Sequence, residues 1–364
     1  MSNWPAWLPL RKDLGQMSVY GAPQVAADAQ LNTNENPYAP SKELVAAISA
    51  AVAKVSANLN RYPDREASTL RGKLASFINE LSGTKFSEKN IWAANGSNEI
   101  IQSLFLAFGS GGALGFTPSY SMHPLIARVT GTTWEEGARK ADFSIDIEAA
   151  CAHILRLRPS LTFVTTPNNP TGSAISLMDL IALADSCANV AGLLIVDEAY
   201  AEFSQDLSAV TVIAQHPHVV VIRTMSKAFA FAGARVGYMA ADPEVIEAML
   251  IVRLPYHLSA LTQAAALSAI DFRDELLSSV HEISTSREEV AAELSAMGLR
   301  VIPSSANFLL FAIESPKTIW QSLLDQGVLI RDVGLSGYLR VTIGTQSENE
   351  RFISALKKSL GGKQ

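Results

Sequence analysis

Five short apolar runs, each separated from the next by helical or turn-forming sequence, constrain this 364-residue chain more than any other feature. The runs are Ile91 to Ala94, Ala113 to Phe116, Leu161 to Thr165, Leu193 to Val196 and Val219 to Thr224. Helical patterns fall between and before them: Glu66 to Leu81 closed by Gly83, Asn98 to Phe108 closed by Gly109, and Leu177 to Ser186. Strands that alternate with helices build an open, mostly parallel α/β sheet. Such a sheet is covered on both faces, which suits strands that are apolar throughout. After about Asp242 the texture changes to helical patterns from Pro243 through Met297. Strands at Asn307 to Ala312, Val328 to Arg331 and Tyr338 to Ile343 follow, with a helix from Pro316. Ser347 with Glu350 reads as a capping box opening the last helix. The expected organisation is an arm over 1–30, a large α/β unit over 31–242 and a smaller α+β unit over 243–364.

Composition narrows the function classes. Hydrophobic residues make up 48% and charged residues 18%, so a large core can form. The net charge is -6 with no Lys/Arg block, which argues against nucleic acid or an anionic membrane as a partner. Cys151 and Cys187 form no CxxC and suggest a reducing, cytoplasmic setting. Met1 to Leu10 lacks a basic-then-apolar signal pattern, and no apolar run is long enough to span a bilayer. His216 and His218 lack a carboxylate or cysteine companion, so no metal site is expected. Gly109 to Gly112 precedes a strand and reads as a turn, and no GxSxG, HExxH or Walker lysine occurs.

The chemistry gathers where strands end, the usual ligand side of such a sheet. Thr224-Met225-Ser226-Lys227 leaves a strand, and Arg235 follows eight residues after the lysine. A lysine amine condenses with an aldehyde, while hydroxyls and a guanidinium suit a phosphate dianion. Pyridoxal phosphate carries both groups on one ring. Asp197 closes a buried strand, where a carboxylate needs a partner such as a protonated pyridine nitrogen, or else caps a helix. Gly96-Ser97-Asn98-Glu99 opens a helix and offers either an anion site or an ordinary N-cap by Ser97 or Asn98, or both. Asn168 and Asn169 sit between prolines in a rigid turn that suits a donor to a phenolate oxygen, which Tyr200 could also reach. Tyr120 could stack on an aromatic ring or simply pack, and Lys227, Arg331 and Arg340 each remain open to a solvated role.

With these residues assembled, the chain resembles the fold-type-I pyridoxal-phosphate aminotransferases. The resemblance rests on Asn169-Pro170-Thr171-Gly172, Asp197-Glu198-Ala199-Tyr200 and Ser226-Lys227 through Arg235, in family order and spacing, and it covers about Leu31 to Leu360. Within the family it is most similar to the actinobacterial histidinol-phosphate-specific branch. Leu31 to Tyr38, Asn60 to Asp64, Arg253 to Ser259, Ile330 to Gly334 and Leu339 to Gly344 carry that likeness. The resemblance implies Lys227 as the cofactor lysine and proton shuttle, Asp197 at the pyridine nitrogen, and Asn169 and Tyr200 at the ring oxygen. It implies Ser97, Asn98, Thr224, Ser226 and Arg235 at the cofactor phosphate, joined by Tyr62 from the other subunit of a homodimer, with Tyr120 stacked on the ring. Tyr20, Asn36, Arg331 and Arg340 would bind the substrate, histidinol phosphate or glutamate. Asn98, where the wider family often has aspartate, and Phe231, in place of a usual leucine, depart from the pattern. An aromatic amino acid aminotransferase, a phosphothreonine decarboxylase and a cofactor-binding regulator are the rival readings.

Overall fold

The computed structural model describes residues 4–361 apart from 6, 16, 20 and 22. The strands, in chain order, are β1 (Ala29–Gln30), β2 (Ile91–Ala94), β3 (Ala113–Thr117), β4 (Trp134–Ala138), β5 (Leu161–Thr165), β6 (Leu193–Asp197), β7 (Val219–Thr224), β8 (Gly237–Ala240), β9 (Phe308–Ala312), β10 (Val328–Leu329) and β11 (Tyr338–Thr342). Among the described residues, seven of them form one sheet in the order β2-β8-β7-β6-β5-β3-β4. β8 runs antiparallel to β2 and β7, and the remaining pairs are parallel. The mostly parallel sheet expected from the alternating runs is what forms.

Both faces of this sheet are covered. Leu194, Val196, Val219 and Val221 join one hydrophobic cluster, while Ile195, Val220 and Ile222 join another on the opposite side. Successive side chains of a strand point to opposite faces, so a strand buried on both must be apolar at every position. Burying each such side chain contributes roughly 1.5–3 kcal/mol.

Two strands of the sheet lack the expected sequence signature. β4 reads Trp-Glu-Glu-Gly-Ala at the sheet edge, where Glu135 and Glu136 face solvent and break the apolar pattern. β8 is four residues long and starts at a glycine. Helices at Lys42–Ser56, Met122–Thr130 and Ile147–Leu157 also go beyond the sequence expectation. The expected helices are present as Ser68–Ser82, closed by Gly83 at φ +67°, Ser97–Phe108 and Leu177–Ala188.

Beyond Asp242 the expected helical stretch consists of Pro243–Val252, Ala260–Asp271 and Arg273–Ala296. β9 pairs with β11, β10 pairs with β1, and Arg331 bridges Arg340. The last helix, Gln346–Gly361, is capped two residues earlier than the sequence suggested. Thr345 Oγ1 accepts from the Glu348 amide at 3.4 Å, and Glu348 accepts from the Thr345 amide at 2.8 Å. The S/T-x-x-E spacing occurs twice, two residues apart, and the copy nearer β11 caps the helix.

Gly237 permits a close approach between the sheet and a helix start. A Cβ there would lie 2.5 Å from Ser97 N and 2.6 Å from Gly96 C, so β8 can pack against the start of helix Ser97–Phe108 only without a side chain. Gly237→Ala is expected to destabilise the fold by about 1–3 kcal/mol, as overpacking does. Urea denaturation followed by circular dichroism measures this.

Candidate active site

A cavity of about 640 Å³ opens where β5, β6 and β7 end, and the segment Asn32 to Glu35 and the β10–β11 region complete it. Its lining includes Ser97, Asn98, Tyr120, Asn169, Asp197, Tyr200, Thr224, Ser226, Lys227, Arg235, Arg331 and Arg340. Residues from widely separated segments therefore meet in one space. Asn36 does not join them, and Tyr62, expected to act from a second subunit, lies on the surface of this one. Asn36 lies outside the cavity because its amide is engaged, donating to Ala228 O at 3.2 Å and Ser279 Oγ at 3.0 Å. Tyr62 is 79% exposed and stacks on Tyr256 with ring centroids 4.3 Å apart. Tyr20 lies outside the described residues.

Asp197 ends the central strand β6 and is 2% exposed. A buried carboxylate requires partners. It has two in this fold: the Ala199 amide donates to Oδ1 at 3.2 Å, and His123 Nε2 lies 3.1 Å from Oδ2. His123, itself 2% exposed, comes from helix Met122–Thr130, which the sequence pattern does not mark. Its position three residues after Tyr120 was the available signal. The two rings meet edge to face at 5.4 Å, and the Tyr120 hydroxyl donates to Asn98 Oδ1 at 3.2 Å.

One corner of the cavity is built to hold an anion. Helix Ser97–Phe108 starts at Gly96 with φ +82°, and no side chain caps it. The N-cap reading for Ser97 or Asn98 is thus replaced by an uncapped helix end, where amides and the helix dipole favour negative charge. Gly96 is needed here, since a Cβ would come within 2.5 Å of Arg235 Nη2. Arg235 Nη1 donates to Ser226 Oγ at 3.4 Å, and Thr224 Oγ1 lies 3.0 Å from Ser226 Oγ.

Lys227 Nζ donates to Thr33 O at 2.8 Å. Burial, reinforced by the Arg340 and Arg235 charges and opposed by Glu35, pulls its pKa down from 10.5 to about 8. Arg340 Nη1 donates to Asn169 Oδ1 and Nη2 to Asn32 O at 2.8 Å, with its guanidinium 5.1 Å from the centre of the Phe308 ring. Asn168, the neighbour of Asn169, is spent on structure. It is fully buried and bonds Ser119, Pro118 O and Thr171.

Behind the site, Arg223 Nε and Nη2 donate to Glu198 Oε2 at 3.1 and 2.8 Å, and Nη1 reaches Glu202 at 3.3 Å. All three side chains are buried. Glu198 follows Asp197 and Arg223 precedes Thr224, so this ion pair clamps β6 to β7 where their functional residues emerge.

The family model "Aminotransferase class I and II" matches residues 28–356. The chain belongs to the class I and II aminotransferases. It is 54% identical over 351 residues to the histidinol-phosphate aminotransferase of Nocardia farcinica, covering 95% of this chain and 90% of that protein. The enzyme of the same name from Mycolicibacterium smegmatis is 53% identical, covering 96% of this chain and 92% of its own. The crystal structure of histidinol-phosphate aminotransferase from Sinorhizobium meliloti, in complex with pyridoxal-5'-phosphate, superimposes with a TM-score of 0.86 at 23% identity, covering 99% of both chains. L-threonine-O-3-phosphate decarboxylase from Porphyromonas gingivalis shares the fold at a TM-score of 0.76 and 19% identity, covering 92% of this chain and 99% of its own. Two reaction types on one scaffold mean that side chains, not the fold, select the chemistry of this aminotransferase.

The depressed pKa of Lys227 gives the aminotransferase a testable signature. Its folded pKa lies below the value of 10.5 it has without the fold, so the folded chain binds fewer protons and this residue favours folding increasingly as pH rises from about 8 to 10.5. The neutral amine reacts, so reductive methylation of the cofactor-free protein is expected to label Lys227 ahead of the other lysines. Peptide mass spectrometry should show that labelling rising with pH through about 8 and then levelling.

Proposed function

We propose that this cavity transfers the amino group of L-histidinol phosphate to 2-oxoglutarate, giving imidazole-acetol phosphate and L-glutamate, with pyridoxal 5'-phosphate as cofactor. The observation that carries the substrate choice is the second cationic group in the cavity. Arg331 and Arg340 lie on a different part of the chain from Ser226 and Arg235, yet line the same space. One anion site serves the cofactor phosphate, and the other serves the far end of the substrate. A guanidinium fork suits the phosphate of one substrate and the carboxylate of the other, as an enzyme with two alternating substrates requires. The names of the curated relatives, at 52–54% identity, agree.

The residues fit the cofactor. The uncapped helix end, Ser226, Thr224 and Arg235 would hold its phosphate, and Asp197, backed by His123, would keep the ring nitrogen protonated. Lys227 would hold the aldehyde carbon and move the proton between that carbon and the substrate. Tyr120 would cover a ring face, while Asn169 and Tyr200 would donate to the ring oxygen. When bound, pyridoxal phosphate supplies the electron sink that stabilises the carbanion formed at the substrate's α-carbon. Burial, which lowers the Lys227 pKa from 10.5 to about 8, gives it a larger neutral fraction near neutral pH than an ordinary lysine has.

A homodimer completes this proposal. Tyr62, Tyr256, Ile251 and Leu254 are exposed on the surface, and Tyr62 would enter the cavity of a second copy at its cofactor phosphate. Residues 31–242 and 243–364 would form the large and small units, with 1–30 as an arm. Two free cysteines, one of them buried, fit a cytoplasmic enzyme. Among the described residues no helix is long and apolar enough to cross a membrane, and no cluster could hold a metal ion.

A substrate panel tests the proposal. The ratio kcat/KM is expected to favour histidinol phosphate over phenylalanine, with no decarboxylation of phosphothreonine; a preference for phenylalanine would overturn it. Arg331→Gln and Arg340→Gln are each expected to lower kcat/KM for histidinol phosphate by about 10- to 100-fold, the worth of one charged hydrogen bond or more. Lys227→Ala should abolish the adduct trapped by borohydride, as read by mass spectrometry.

A further inference from the structure

Tyr200 is held by a hydrogen-bonded chain whose every donor has a defined direction. Asn34 is 1% exposed and has φ +56°, a left-handed conformation that asparagine and aspartate tolerate better than most residues. Its backbone N–H donates to Thr342 Oγ1 at 3.0 Å. Thr342 Oγ1 in turn donates to Asn34 Oδ1 at 3.0 Å. The threonine oxygen already accepts from the backbone, so its own hydrogen turns to the amide oxygen. That sets the amide orientation and leaves Asn34 Nδ2 to donate to Tyr200 Oη at 2.9 Å. The reversed amide would take the acceptor away from the buried Thr342 hydroxyl, a costly arrangement. Asn307 Nδ2 holds the same residue from below, donating to Asn34 O at 3.1 Å.

We propose that Asn34 and Thr342 are positioning residues that make the Tyr200 hydroxyl a hydrogen-bond donor toward the cofactor's ring oxygen. The inference rests on the role proposed for Tyr200 at that oxygen. Because Asn34 donates to Oη, the tyrosine hydrogen is turned away from Asn34, and Tyr200 lines the cavity where the ring oxygen would sit. A donor at the ring oxygen stabilises its negative charge, so the lysine-bound chromophore gives up its proton at a lower pH. Thr342 lies two residues beyond Arg340 on β11. The strand that presents a substrate arginine thus also sets the electronic state of the ring.

The test uses the full-length protein loaded with pyridoxal phosphate, its absorbance followed against pH without turnover. Tyr200→Phe is expected to raise the apparent pKa of the chromophore by about one pH unit, the scale of one hydrogen bond to a charged group. Asn34→Asp replaces a donor with a carboxylate that accepts from Tyr200, and is expected to raise it comparably. The double variant of Tyr200→Phe with Thr342→Val should add little to Tyr200→Phe alone, because both changes remove one interaction without adding a charge. Thr342→Val should shift the pKa in the same direction, and Thr342→Ser should restore it. If Tyr200→Phe leaves the pKa unmoved, the role of Tyr200 falls and the relay with it. If Tyr200→Phe moves the pKa but Asn34→Asp and Thr342→Val do not, or if the shifts add in full, the relay alone is overturned. Circular dichroism identifies any variant that fails to fold, and the remaining one of Asn34→Asp and Thr342→Val then decides.

Discussion

The buried pair between Arg223 and Glu198 is the interaction on which the site depends. It joins β6 and β7 at the level where Asp197, Tyr200, Thr224, Ser226 and Lys227 leave the sheet. Breaking a buried ion pair by removing one partner costs about 3–5 kcal/mol, because the remaining charge is stranded. The pair therefore specifies one spacing between two strand ends. Every distance between the carboxylate at one strand end and the lysine beyond the other inherits that spacing. Glu202 makes a second contact with Arg223 and extends the clamp to the short turn after Tyr200.

A second constraint crosses from the C-terminal strands to the sheet. The bent segment Asn32 to Asn34 receives Arg340, Thr342, Asn307 and Lys227 within three residues. Its backbone carbonyls and one side-chain amide connect Arg340 to Lys227 and to Tyr200. Segments far apart in sequence thus share hydrogen bonds at one buried strip. Any movement of β11 would be felt at Asn169 through Arg340 and at Tyr200 through Thr342 and Asn34.

Much of this was legible in the chain. The five apolar runs became five strands within a residue or so of their expected ends, because a strand covered on both faces must be apolar throughout. Lys227, Asp197, Asn169 and Arg235 stood out as polar groups placed where apolar strands stop. β4 and β8 were not legible: one is an edge strand with two glutamates, the other is too short to carry a pattern. His123 was hidden because nothing in a helical histidine reveals that its ring meets a carboxylate seventy-four residues later. Asn36 was misplaced for the opposite reason. Its motif pointed to the cavity, but a half-buried amide takes the partners that surround it, and here these are Ala228 O and Ser279.

The sequence by itself determined five of the sheet's seven strands, the polar groups at their ends and the chemical types gathered there, since periodicity and residue identity are local properties. Only the tertiary structure decided which of those groups meet and which way each hydrogen points. An uncapped helix end becomes an anion site only when Gly237 lets β8 approach it and Arg235 closes over Gly96. Asn34 meets the Tyr200 hydroxyl only when Thr342, 308 residues away, holds the asparagine's amide oxygen. Hydrogen-bond direction is set by the whole network around a group, and no stretch of chain contains that network.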